Sequence, residues 1–412
     1  MKNFLVRFEK KYFFSVLLAF AFALPFNTLT SVNSLLMALL FLLWMVRLLT
    51  SEEPVLFRTP LDIPLMGFFL WAGLSLIWTA DVHETLTSWI ALGKQIFLFY
   101  LGATSVKTRD QFVKILCAFL AAMLIIDLFA ITDFFMRGGS LLNRHIRAGS
   151  FASSDYNLIT ALIVIFLPLG FVYGINTVSK TLKIILYSFS SISLFTLYLS
   201  YTRSGWITII FQLLIFGWFC SRKFFIYILS GIFCLSLMVF LALPVIQRYN
   251  ARTSEPKNKI YADDTVNPLT FDLRIKVWKF GFEEILRRPI TGYGYGKTIF
   301  SIIFNKSDIV KDTSHLHNIF LETFFEVGVP GLILLLLIFG KILKQSFFNL
   351  NSYNDSSLTL YGFFMIIMVT GFLFKNFFDH MFVGNAAEIF WILSALLFCH
   401  FEPVLETNNK NI

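Results

Sequence analysis

Apolar runs close to membrane-spanning length follow one another along the chain, separated by short polar breaks. A helix needs about 20 predominantly apolar residues to cross a bilayer. Runs near that length fall at 12–29, 31–49, 61–79, 87–104, 112–134, 157–177, 182–200, 204–221, 223–245, 325–345, 359–378 and 385–401. The pattern predicts an all-α, polytopic integral membrane protein with about 12 transmembrane helices. One polar stretch is long. It divides the chain into about nine spans over 1–245, a loop domain over 246–324 with short helices, and about three spans with a short tail over 325–412. Loops of that length in compact folds are usually functional. Within it, FDLRIKVWKFGFEEILRR reads as an amphipathic helix with Asp272 as N-cap. Leu273, Val277, Phe280 and Ile285 form its apolar stripe, and Pro289 follows its end.

Composition supports the membrane reading. The chain is 57% hydrophobic and 14% charged, with mean hydropathy +0.73 and 51 Phe, which excludes an ordinary soluble domain. The four cysteines sit inside apolar runs without a CxxC pair, which argues against a zinc knuckle or a disulfide framework. The net charge of +9 is scattered between apolar runs, so it marks no nucleic-acid tract. Lys2, Arg7, Lys10 and Lys11 precede the first run without an Ala-x-Ala-type site, the pattern of a signal anchor.

Charge then sets the expected orientation. Arg47 and Arg58, Lys107, Arg109 and Lys114, Lys180 and Lys183, Arg222 and Lys223, and Lys341 and Lys344 fall in alternate breaks, whereas the breaks near 25–31 and 80–86 carry no Lys or Arg. The bias toward positive cytoplasmic loops predicts both termini inside. Some cations defy it. Arg137, Arg144 and Arg147 lie in an outer break, and Arg203 sits in the outer turn SYTRSGW. One arginine at a helix end can simply snorkel to the headgroups. Several on one face, joined there by the long loop, point to an anion held at that face.

TGYGYGKTIF, Thr291 to Phe300, nearly spells a phosphate loop. A Walker loop places four residues between its first glycine and the Gly-Lys pair, whereas Gly292 and Gly296 enclose three. No strand precedes it, and it lies on the face expected to be outside, so a glycine-rich turn is the better reading. Its amides remain available to line an anion site. SHLHNIFLETFFEVGVPG follows. His317 falls at the start of a helix whose apolar face carries Leu321, Phe324 and Phe325, and Gly328, Pro330 and Gly331 mark a break. An imidazole titrates near neutral pH, and the positive end of a helix favours its neutral form, which suits a general base. The plain alternative is an interfacial histidine bonding the backbone. His315 and His380 are its decoys. Glu322 and Glu326, one turn apart, could tune that imidazole but read first as a solvated face, and Asp263-Asp264 as a solvated loop.

His317-Asn318, nine residues, then Gly328-Val329-Pro330-Gly331 resembles the signature of bacterial O-antigen ligases, within the wider family of O-antigen ligases, O-antigen polymerases and O-oligosaccharyltransferases. RAGSFASSDYN (147–157) resembles the family's Gly-Thr-Phe…Asn segment, with Ser-Asp in place of Asn-Pro. YTRSGW (201–206) is similar to its arginine turn, and LRIKVWKFGFEEILRRPITGYGYG (273–296) to its Arg…Trp…Pro block.

The resemblance implies an inverting, metal-independent glycosyl transfer without cofactor or nucleotide at the periplasmic face of the inner membrane. The donor is a glycan on undecaprenyl diphosphate and the acceptor is lipid A–core oligosaccharide. It implies His317 as catalytic base, Arg203 and Arg274 on the diphosphate with Arg147 as a weaker third, and Asn318, Gly328 and Gly331 in support. Lys297 and His315 are accessory contacts. An O-antigen polymerase or a protein O-oligosaccharyltransferase would use the same donor. A flippase for the lipid-linked glycan is the rival from another class, but it would place charge in mid-span and show repeat symmetry.

Overall fold

The computed structural model describes residues 2–50, 58–141, 146–149, 156–227, 229–231, 269–304, 315–351, 356–399 and 401. Helices α1 to α8 are Lys2–Ala23, Thr30–Thr50, Asp62–Leu74, Val82–Ser105, Arg109–Met136, Tyr156–Asn176, Lys180–Ser200 and Arg203–Cys220. Then come α9 (Leu269–Arg287), the short α10 (Ile299–Phe304), α11 (Ile319–Leu350), α12 (Ser356–Lys375) and α13 (Gly384–Leu396). There is no strand among the described residues.

The twelve expected spans resolve unevenly. Among the described residues, seven helices are long and apolar enough to cross a membrane: Asn27–Thr50, α5, α6, α7, α8, α11 and α12. Three shorter apolar helices, Lys11–Ala23, Asp62–Ile77 and Gly384–Leu396, match three more runs. Helix α4 carries His83, Glu84 and Lys94, which lower its hydropathy. The ninth run is helical at 222–227, and 232–245 lies outside the described residues. The protein is an all-α, multi-pass membrane protein.

Helix α6 is apolar on all sides, the composition of an interior helix. Some 78% of its apolar stretch is buried, against 22% for Asn27–Thr50, so α6 is central and α2 peripheral. Gln212 of α8 bridges the centre, donating to Val164 O at 2.9 Å and to Ile367 O at 3.3 Å. A second, smaller core joins Val277 and Ile285 of α9, Tyr293, three residues of α10, Leu316 and Phe325. Val277, Phe280 and Ile285 of the sequence-predicted stripe on α9 face this core. Its N-cap does not hold: the helix begins at Leu269, so Asp272 falls inside its first turn.

Helix α11 is broken at Gly328, whose φ of 68° and ψ of −170° are open essentially to glycine. Pro330 lacks an amide, so the carbonyls before the break lose helical partners. Other groups replace them. Tyr293 N donates to Phe325 O at 3.0 Å and Gly294 N to Glu326 O at 2.9 Å. Trp71 Nε1 donates to Val327 O at 2.7 Å. Val329 N donates to Pro289 O at 2.9 Å. A Cβ at Gly328 would collide with the Ile290 carbonyl, and one at Gly292 (φ 64°) with that of Glu326. The glycine-rich turn is thus a latch on a helix break. Its amides are consumed: Tyr295 N goes to Ser75 Oγ at 3.0 Å and Gly292 N to Arg288 O at 3.0 Å. The expectation that they line an anion site does not hold, because buried carbonyls claim them first.

Candidate functional site

His317 sits one residue before the cap of α11, with φ 52°. A left-handed backbone costs a non-glycine residue about 1–2 kcal/mol, so its neighbours must hold it. Asn318 does so as N-cap: its Oδ1 accepts from Phe320 N at 3.0 Å and Leu321 N at 3.1 Å. Asn318 therefore fixes the helix start. Ile319 N donates to Asn376 O at 3.1 Å, which ties the start of α11 to the end of α12.

The residues after α12 complete the site. His317 Nδ1 lies 3.9 Å from Asp379 Oδ1, an ion-pair distance longer than a hydrogen bond. Asp379 Oδ2 accepts from Lys375 Nζ at 2.8 Å, and Lys375 also reaches Ser204 Oγ at 3.2 Å. Lys375 is wholly buried, so its charge depends on Asp379. Burial alone would raise the Asp379 carboxyl, but His317, Lys375 and the His380 amide hold it well below the usual range. Two further histidines join. The His315 ring lies 4.0 Å from that of His317 and 6.0 Å from that of His380. Burial, then the nearby His317, pushes His315 down to about 4, so it is neutral at pH 7. His380 Nδ1 lies 2.9 Å from Glu322 Oε2. Burial pushes His380 down, but Glu322 outweighs it and the histidine is raised.

The sequence-predicted residues divide into near and far. Arg203 is the first residue of α8, exposed, and Ser204 beside it joins the Lys375–Asp379–His317 line. Arg274 lies one turn before Trp278 on the same face of α9, and Trp278 Nε1 donates to Leu316 O at 2.7 Å. Both arginines are therefore carried on helices pinned to the histidine segment. Arg147 is held elsewhere on the same end of the bundle. Its guanidinium lies 4.7 Å from the Tyr156 ring centroid, its carbonyl accepts from Arg137, and Ala148 N bonds Leu199 O. Residues 150–155 of the segment that begins there, and Asp263-Asp264, lie outside the described residues. Gly328 and Gly331 act on the backbone at the α11 break.

Three readings change. His380 is a member of the cluster. Glu322 and Glu326 are 1% and 6% exposed, an interior pair, and Glu322 faces His380. Asp379 and Lys375, which sequence reasoning left out, connect His317 to α8. Their signal was present in KNFFDH: Lys375 and Asp379 are spaced i,i+4 beside a histidine at the end of an apolar run.

His315, His317 and Asp379 offer ligand atoms within 4.8 Å of one another, a geometry open to a metal ion. The buried ammonium already on Asp379 opposes a dication there. Asp379 Oδ1 lies on the Nδ1 side of the His317 ring at 3.9 Å, while its other oxygen is held by Lys375.

At this end of a multi-pass helical membrane protein, histidines and buried carboxylates converge, and the helices that carry Arg203 and Arg274 pack against them. Residues 188–336, from α7 into α11, match the family model described as O-antigen ligase. A protein of Rickettsia felis, provisionally named a polysaccharide ligase, is 30% identical over 131 residues. The matched stretch covers 30% of this chain and 29% of that relative, so the chain spans under a third of the relative's length. The segment that resembles the O-antigen ligase family, a little over a third of the chain, contains Arg203, Arg274, His317, Asn318, Gly328 and Gly331 but not Arg147.

Proposed function

We propose that the protein is an O-antigen ligase, which moves a glycan from undecaprenyl diphosphate onto a hydroxyl of lipid A–core oligosaccharide. The observation that carries this reading is His317, held in a strained backbone conformation beside Asp379 inside the family-matched segment. In the reaction, His317 Nε2 takes the acceptor hydroxyl proton while Asp379 on the Nδ1 side stabilises the imidazolium. The acceptor oxygen attacks the anomeric carbon from the face opposite the leaving group. The bond from that carbon to the phosphate oxygen breaks, and the electron pair leaves on the diphosphate. Arg203 and Arg274 receive that charge, since guanidinium binds phosphate oxygens bidentately, with Arg147 as a third. The diphosphate supplies the driving force, and the reaction uses no nucleotide and no metal. The site opens to the periplasm from the inner membrane, both termini are cytoplasmic, and 246–324 works as the loop domain over the site.

His317→Ala is expected to lower transfer in detergent about 10²–10⁴-fold, with wild-type activity unchanged by chelator. Full activity of the variant removes His317 as base, and loss of wild-type activity in chelator removes the metal-free mechanism. A deletion strain separates the polymerase reading. A ligase defect leaves free core with long chains accumulating on the carrier, whereas a polymerase defect leaves core with a single repeat.

A further inference from the structure

A cavity of about 180 Å³ lies beneath the histidine cluster, between α3, α4, α11 and α13. A space of that size admits several waters, the scale of one sugar ring. Its polar lining includes Gln95, Lys297, Glu322, Glu326 and His380, and its aromatic lining Phe68, Tyr295 and Trp391. Glu322 is 1% exposed. Its Oε2 meets His380 at ion-pair distance, but neither oxygen accepts a well-directed hydrogen bond. A buried acceptor left open in this way is costly, and a ligand that donates hydrogen bonds removes the cost.

We propose that this cavity is a sugar-ring subsite, in which Glu322 and Glu326 accept hydrogen bonds from ring hydroxyls and the aromatic side chains pack on the apolar ring face. A mostly apolar pocket with a few convergent polar groups is the usual form of a small-ligand site. Phe68 and Tyr295 meet edge to face at 5.9 Å, and Trp391 Nε1 holds Gln95 Oε1 at 3.1 Å, so the walls are fixed. His380 links the cavity to the reaction. It lines the cavity, faces Glu322, and its ring lies 6.0 Å from that of His315, which stacks near His317. A ring seated there presents a neighbouring sugar hydroxyl toward His317. This assignment rests on the glycosyl-transfer reading above for the identity of its ligand.

The test is direct binding by the full-length protein in detergent, measured by calorimetry. The probes are delipidated core oligosaccharide in one arm and carrier-free O-glycan in the other. Glu322→Gln removes the charge at constant shape. Ala91→Trp blocks the cavity from an exposed lining position, so it decides the matter if the buried variant fails to fold. Both are expected to weaken one probe at least tenfold while remaining folded by circular dichroism. The arm that weakens identifies the ring as acceptor or donor. Binding within twofold of wild type in both arms, by either folded variant, overturns the subsite. Because binding is read without turnover, full transfer activity of His317→Ala would defeat the base assignment and leave this result standing.

Discussion

Asp379 carries two duties at the level of single residues: it compensates the buried Lys375 and faces His317. Asp379→Asn is expected to destabilise by about 3 kcal/mol, because breaking a buried pair strands one charge, and to lower transfer as well. The two charged networks give opposite pH limbs. Asp379 is depressed in the folded state, so its contribution is present above about pH 4 and lost as pH falls below. His380 is raised, so its pairing with Glu322 contributes fully below about pH 6.5 and fades as pH rises through the raised value. The wild-type melting temperature should therefore fall more steeply from pH 6 to 9 than that of His380→Gln. Equal slopes would remove the His380–Glu322 pairing as a stabiliser. Arg274→Lys should cut kcat/KM about tenfold or more, since a point charge replaces a fork, and unimpaired turnover would remove Arg274 from the diphosphate. Of these residues, His317 was legible because its glycine frame is local in sequence. Asp379 was visible in KNFFDH only as a charge beside a histidine, because its tie to His317 forms only where α12 ends against α11, some sixty residues later. Glu322 and Glu326 misled because a charged pair one turn apart ordinarily marks a wet face, and here the cavity wall claims it.

The central device among the elements is the α11 break with its latch. Gly328→Ala should destabilise by about 3 kcal/mol or more, since its Cβ collides with a backbone carbonyl that cannot rotate away and its φ is unfavourable. Gly340→Ala on the same helix meets nothing within 4 Å and should be neutral or slightly stabilising. Comparable thermal losses in the two variants would mean the latch contributes nothing. The break was readable from Gly-Val-Pro-Gly, and the amphipathic stripe of α9 from its period. The latch was not readable. TGYGYG announces only a turn, and its real partners, the orphan carbonyls of Phe325 and Glu326, exist only once the helix has broken.

For the whole molecule, the span pattern was legible because the length of an apolar run is a local property that the bilayer enforces. The failures were at short or polar runs such as α3 and α4, where neighbouring helices rather than composition supply the environment. The expected orientation has a direct test. In a background free of the four native cysteines, a cysteine at Thr298, on the site end, should react with a membrane-impermeant thiol reagent in spheroplasts. One at Asp110, at the far end of α5, should react only after lysis. The reverse pattern would invert the protein in the bilayer and remove the periplasmic reaction. The latch has one more consequence, for biogenesis. Residues 289–294 leave the ribosome before 325–329, so the key is synthesised ahead of its lock. Until α11 emerges, those amides must remain hydrated, and a nascent chain cut between the two would hold neither half of the joint. This end of the bundle can therefore close only late in translation, after most of the membrane bundle has already been inserted.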